Sequence, residues 1–135
     1  MKSAARPRNR TKTHRVVMLG FPEAQVLDIT GPLEVFSRTA RWLTDHRKLP
    51  APAYSTELVA ARAGPLRMSN GLELVASRRY ASVNDADTLL VAGGIGWEAA
   101  AADTAVLGWL AAQARRVERL GSLDTTLDVW KQVFN

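Results

Sequence analysis

Two stretches of the chain hold residues whose types and spacing suit chemistry. In Gln25-Val26-Leu27-Asp28-Ile29-Thr30-Gly31-Pro32 a carboxylate stands between apolar residues, just ahead of a helix start. Apolar flanks desolvate a carboxyl group and raise its pKa toward the range useful for general acid or base work. The position equally suits an acid that caps the helix, and residue type alone leaves both open. Glu23, in the same loop, is a weaker candidate because nothing beside it in sequence would bury it. The second stretch is Gly93-Gly94-Ile95-Gly96, directly after an apolar run. Glycines there free backbone N–H groups to face an oxyanion or a carboxylate, though a tight strand-to-loop turn uses the same residues with no ligand at all. A dinucleotide fingerprint is excluded, since Ala99 holds the last glycine position of G-x-G-x-x-G, and no Gly-Lys-Ser/Thr follows to make a P-loop. Trp97, next along, either lines a pocket or covers the end of a sheet.

The elements that must position these residues follow from periodicity. Val16-Val17-Met18-Leu19, closed by Gly20, has the continuous apolar pattern of a strand buried on both faces. Gly31-Pro32 puts a proline in the first turn of a helix, where its missing N–H costs nothing, and Leu33, Phe36, Ala40 and Leu43 recur at helical spacing until about His46. The prolines of residues 48–52 mark a linker, and Tyr54 to Arg62 reads as the next strand. Asn70-Gly71, between Leu66-Arg67-Met68 and Leu72-Glu73-Leu74-Val75, predicts a hairpin with a two-residue turn. Thr88 to Ala92 repeats the buried-strand pattern. Asp103-Thr104 then caps a helix whose apolar stripe is Val106, Leu107, Leu110, Ala114 and Val117. Trp109 falls off that stripe and predicts a contact to another element, while Met68 and Trp42 read as core or helix-surface packing. Arg78-Arg79 and Arg115-Arg116 read as solvated charge, without the aromatic interleaving of a base-stacking surface. The sum is an α/β domain: a parallel sheet with helices on its faces and a small β-hairpin. In such sheets ligands bind beyond the carboxyl ends of the strands, which is where the loops at 20–31 and 93–98 fall.

Composition narrows the function classes. A chain of 135 residues, 47% hydrophobic and 23% charged, suits one soluble domain. It has no Cys, hence no disulfide, thiolate metal site or thiol nucleophile, and His14 and His46 are too few for a His-built metal centre. Neither a metal nor a cofactor is expected. No apolar run approaches the ~20 residues of a membrane span. The net charge of +5 is local: residues 1–15 carry six basic groups and no acid, and the rest is close to neutral. A disordered basic tail over 1–14 is therefore expected, either a solvated leader or an electrostatic hook for nucleic acid or an anionic membrane. Pro7 and the lack of an apolar face argue against a transit peptide, and the lack of a hydrophobic region excludes a secretory signal, so a cytoplasmic protein is expected.

In this order the pieces resemble the ThiJ/PfpI family, within the class I glutamine amidotransferase-like, flavodoxin-like superfamily. The specific resemblance is to the ligand-sensing lobe of GlxA-type transcriptional regulators of the AraC family. The resemblance rests on residues 16–21, on LDITGPLEVF at 27–36, on SNG at 69–71 and on LLVAGGIG at 89–96, and covers about residues 15–120. It implies a flavodoxin-like sheet and a small-molecule site using Asp28 and the backbone of Gly93, Gly94, Ile95 and Gly96. It also implies a small nitrogenous metabolite as ligand, self-association, and DNA contact only through a separate helix-turn-helix domain. Enzymes of the superfamily, such as isocyanide hydratases, pair an acid at the Asp28 place with a Cys in a Ser-Val-Cys-Thr-Gly elbow. Here Ser122 and Thr125 match, while Asp124 stands in the Cys place and Thr126 in the Gly place. A carboxylate cannot supply thiolate chemistry, so no catalysis is expected. A stand-alone hydratase, amidase or protease of the superfamily, or a fragment without function, is the alternative. The expected organisation is the tail at 1–14, a partial ThiJ/PfpI-like domain at 15–122 and a divergent segment at 123–135, an unfinished lobe truncated near Leu123.

Overall fold

The structure is a computed structural model that describes residues 12–123. Most of the basic tail, and Asp124, Thr125 and Thr126, lie outside the described residues.

The first apolar run forms β1 (His14–Leu19), and it lies in the middle of a parallel sheet. On one side β1 pairs with β2 (Tyr54–Ala60), which in turn pairs with the two-residue β5 (Arg78–Arg79). On the other side lie β6 (Thr88–Val91) and then β7 (Arg119–Ser122), so the spatial order is β5-β2-β1-β6-β7. The side chains of β1 alternate between two cores. Val17 and Leu19 join Val59, Leu89, Val91 and Leu110 on one face, and Met18 joins Leu58, Ile29, Leu66 and Met68 on the other. Burial of both faces explains why the strand lacks any polar alternation after Arg15.

Helix α1 (Val26–Arg47) packs against β2 and β1 on the second of these faces. It begins earlier than the proline suggested. Val26 and Ile29 extend the stripe of Leu33, Phe36 and Ala40 upstream, and that apolar face against the sheet holds Pro32 inside the helix. Pro32 has no N–H to return to the carbonyl of Asp28 four residues back, the bond an interior proline forfeits. The helix stops where expected, with Lys48 in the left-handed region at φ 50° and its N–H on the Thr44 carbonyl. α3 (Thr104–Ala114) covers the other face, capped as expected by Asp103, whose side chain accepts from the Ala105 N–H. Its stripe is shorter than predicted, because the helix ends before Val117, and Gln113 is buried beside Leu110. A five-residue helix, α2 (Trp97–Ala101), precedes it. Trp109 reaches another element, as its place off the stripe implied: its indole N–H donates to the Val83 carbonyl and its ring packs on Tyr80.

The hairpin is present but its turn is wider than predicted. β3 (Gly64–Arg67) and β4 (Glu73–Ala76) pair as far as Arg67–Glu73, and the Met68 N–H still donates to the Leu72 carbonyl at 2.8 Å, which leaves residues 69–71 as the turn. The reason lies in Met68, which is fully buried and bridged to Ala24, while the Ser69 N–H donates to the Ala24 carbonyl. The bond from Ser69 takes that one residue out of the hairpin ladder. Only Gly71 takes positive φ, and Asn70 instead accepts the Leu72 N–H on its side chain.

Arg78 is not solvated charge. Its guanidinium grips Glu57 through Nε at 2.7 Å and Nη2 at 3.0 Å, and Nη2 lies 3.3 Å from Asp85. Arg15 adds a pair to Asp85 at 3.1 Å and a looser one to Glu57 at 3.8 Å. The network ties β1, β2, β5 and the segment before β6 together. Arg79, Arg115 and Arg116 are exposed, as read from the sequence.

Candidate functional site

The order β2-β1-β6 makes the gap between β1 and β6 a switch point, with one connection leading to each side of the sheet. The loops leaving these two strands, residues 20–25 and 92–96, are joined by backbone hydrogen bonds. Gln25 N–H donates to the Gly93 carbonyl at 2.9 Å, and Gly96 N–H donates to the Glu23 carbonyl at 3.2 Å. Glu23 N–H in turn donates to the Arg67 carbonyl at 2.8 Å, which docks the hairpin onto the same loop. Glycine is required for this contact. Gly94 has φ +131°, and a Cβ there would lie 2.5 Å from the Gln25 nitrogen; a Cβ on Gly96 would lie 2.0 Å from the Pro22 carbonyl oxygen.

Asp28 belongs to the first turn of α1 and not to the loop ahead of it. It is not the cap, which is Gln25 and makes no side-chain bond. Its carboxylate reaches across to the next loop and accepts the Gly93 N–H at 3.1 Å. The structure thus brings together the two stretches that the sequence kept 65 residues apart. The apolar flanks do not enclose the acid as expected, because Leu27 is 69% exposed while Ile29 turns into the core, and Asp28 itself is half-buried.

The glycine run offers fewer donors than its sequence suggested. The Gly93 N–H is held by Asp28 and the Gly96 N–H by Glu23, whereas the Gly94 and Ile95 N–H groups make no hydrogen bond among the described residues. Ile95 is well exposed. Two adjacent donors beside a fixed carboxylate can bind and orient a small ligand that carries an acceptor such as a carboxylate. Glu23 is more constrained than predicted: it adopts φ 66°, is half-buried, and pairs with Arg67 at 3.4 Å. Ser122, which the resemblance places at the start of the elbow, closes β7 opposite Val91, and the Leu123 N–H donates to the Val91 carbonyl. Asp124, in the place of the superfamily's nucleophile, lies outside the described residues.

Beside this site lies a cavity of about 240 Å³ that no sequence pattern announces, walled by Gly20, Phe21, Ala61, Gly96, Ala100 and Asp103. Trp97 does line a pocket, a narrower hollow of about 30 Å³ that shares Phe21 and Ala100 with the larger one. α2 creates both, and its run Trp-Glu-Ala-Ala-Ala has no period that announces a helix. Among the described residues no group of three His, Asp or Glu side chains is placed to hold a metal ion. No helix among them is long and apolar enough to cross a membrane.

No family model matches the chain. Over 81 residues it is 37% identical to a protein of Streptomyces lividans known as the uncharacterized protein in the cpoL 5′ region, a match covering 60% of this chain and 52% of that one. The chain thus spans about half the length of this curated relative. Among solved structures it is similar to a ThiJ/PfpI family protein from Pseudomonas syringae, with a TM-score of 0.74 and 22% identity over 90% of this chain and 46% of the other. It is also similar to an AraC family transcriptional regulator from Pseudomonas putida, with a TM-score of 0.61 and 18% identity over 90% of this chain and 61% of that one. The chain has the flavodoxin-like α/β fold of ThiJ/PfpI proteins, a fold that transcriptional regulators share.

Proposed function

We propose that residues 15–122 act as the ligand-sensing lobe of a GlxA-type regulator of the AraC family, binding a small nitrogenous metabolite without transforming it. The observation that carries this reading is the bond from the Gly93 N–H to Asp28, which sets a carboxylate beside the two unengaged donors of Gly94 and Ile95. An amino acid or betaine matches that pair of features, its carboxylate facing the N–H groups and its nitrogen facing Asp28. The absence of Cys from the chain supports binding without catalysis. The fold shared with the Pseudomonas putida regulator supports the regulatory role. DNA contact in this reading belongs to a helix-turn-helix domain and not to the lobe, and the protein works in the cytoplasm.

Calorimetric titration with L-amino acids and quaternary amines tests the site. Heat is expected from at least one of them and is expected to vanish in Asp28→Ala; heat that persists unchanged in that variant removes Asp28 from the site.

Self-association is part of the same reading. Leu27, Val35 and Trp42 lie within roughly 80° of one another around α1 and are 69%, 65% and 51% exposed, an apolar face suited to a second copy. Sedimentation equilibrium of the full chain is expected to show a species heavier than the 14.8 kDa monomer, returned to monomer by Val35→Glu. A monomer at all concentrations removes this part of the proposal.

A further inference from the structure

The larger cavity is separate from the Asp28 site: its wall includes Gly96, but not Asp28, Gly93, Gly94 or Ile95. It exists because the residues around it are small. Ala99 and Ala100 face it from α2, and Gly96 has no room for a side chain. The narrower hollow continues it, so Leu19, Phe21, Ala100 and Val106 are common to both, with Trp97 beyond. Its volume lies below the roughly 300 Å³ at which sites for drug-sized ligands begin, which limits an occupant to a small metabolite.

Its one ionisable wall residue decides the charge of that occupant. Asp103 fixes its carboxylate by accepting the Ala105 N–H on Oδ1 at 2.9 Å, and its other oxygen has no hydrogen-bond partner among the described residues. No Lys, Arg or His lines either hollow. The start of α3 opposes this charge, but a helix end carries only about half a unit, so the carboxylate prevails. The aromatic side chains of Phe21, in both hollows, and Trp97, in the narrower one, complete a setting that favours a cation and repels an anion.

We propose that this recess is a second ligand site, for a small organic cation whose ammonium group lies beside Asp103 and whose carbon skeleton lies on Phe21, Leu19 and Val106. The proposal holds whether or not the Asp28 site senses a metabolite.

Three probes with one skeleton test it: isoamylamine, isoamyl alcohol and isovalerate, each titrated into the ¹⁵N-labelled full chain. The amine is expected to give saturable shifts at the amides of Gly96, Ala99 and Ala100, with an affinity about tenfold or more above that of the alcohol and no saturation by isovalerate. Asp103→Asn keeps the helix cap, because Asn caps as well as Asp, and is expected to reduce the amine to the level of the alcohol. Ala100→Leu fills the recess from α2 without touching the cap and is expected to abolish the shifts. The proposal is overturned if none of the probes binds, if isovalerate or the alcohol binds as tightly as the amine, or if Asp103→Asn or Ala100→Leu retains the wild-type amine affinity.

Discussion

Gly94→Ala is expected to destabilise the protein by about 3 kcal/mol or more, the sum of a strained backbone and an overlap with the facing loop. The φ of +131° at Gly94 is one that side-chain-bearing residues rarely adopt, and a Cβ there meets the Gln25 nitrogen at 2.5 Å and Ala24 backbone atoms at 2.8 Å. Backbone, unlike the end of a flexible side chain, cannot swing aside, so the loops after β1 and β6 must part. In a domain of this size the melting temperature should fall by on the order of 10 °C. Gly96→Ala should act in the same direction, because its Cβ would lie 2.0 Å from the Pro22 carbonyl oxygen. Gly108→Ala is the control: nothing lies within 4 Å of a Cβ there, and the helical position should gain about 1 kcal/mol. Thermal denaturation of the three variants checks the set, and a neutral Gly94→Ala would mean that the loops do not meet as described.

Glu57→Gln is expected to cost about 2 kcal/mol, because the charged hydrogen bonds from Arg78 lose their strength and Arg78 and Arg15 lose a counter-charge. Burial pushes the Glu57 carboxyl up, but the hydrogen bonds from Arg78 and Ser77, with the positive charges of Arg78 and Arg15, outweigh that and leave it below its ordinary value. The partner agrees in direction: the bond to Glu57 raises Arg78. A carboxyl that holds its proton less tightly when folded contributes stability that is complete above the unfolded pKa and is lost as pH falls through the folded one. Wild type should therefore lose stability below about pH 4, and Glu57→Gln should lose less over that interval. Urea denaturation midpoints from pH 3 to pH 7 check this. Parallel pH profiles for the two proteins would show that Glu57 contributes nothing to the acid transition.

Both expectations concern contacts that no single stretch of sequence displays. The strands were legible because Val16 to Leu19 and Leu89 to Ala92 are apolar on every residue, which only a sheet covered on both faces rewards. The cap at Asp103 and the stop at Lys48 were legible because they depend on local chemistry. Pro32 misled about the start of α1, since the packing of Val26 and Ile29 on the sheet overrides a local helix breaker. Asn70-Gly71 misled about the turn, since the bonds between Met68, Ser69 and Ala24 reach across the sequence to a different loop. Arg78 looked solvated because its partners Glu57 and Asp85 belong to other elements.

The site divides in the same way. Asp28 and the glycine run were each recognisable by residue type, but each had a bland alternative, a helix cap or a tight turn. Asp28 lies inside the first turn of α1, whose cap is Gln25, and its carboxylate accepts the Gly93 N–H. The glycines serve close approach first, and among the described residues Gly94 and Ile95 are left to offer donors. The recess around Asp103 was invisible because it is made by what α2 lacks, side chains longer than alanine, and small residues have no signature in a single sequence.

Whether Asp28 and the glycine loop form one ligand site is read most directly by a ¹⁵N-resolved titration of the full chain with the L-amino acids and betaine. A binder is expected to move the Gly94 and Ile95 amides most, and Asp28→Ala is expected to abolish those shifts. Saturable binding that leaves both amides unmoved, or no binding by any of these compounds, would contradict it.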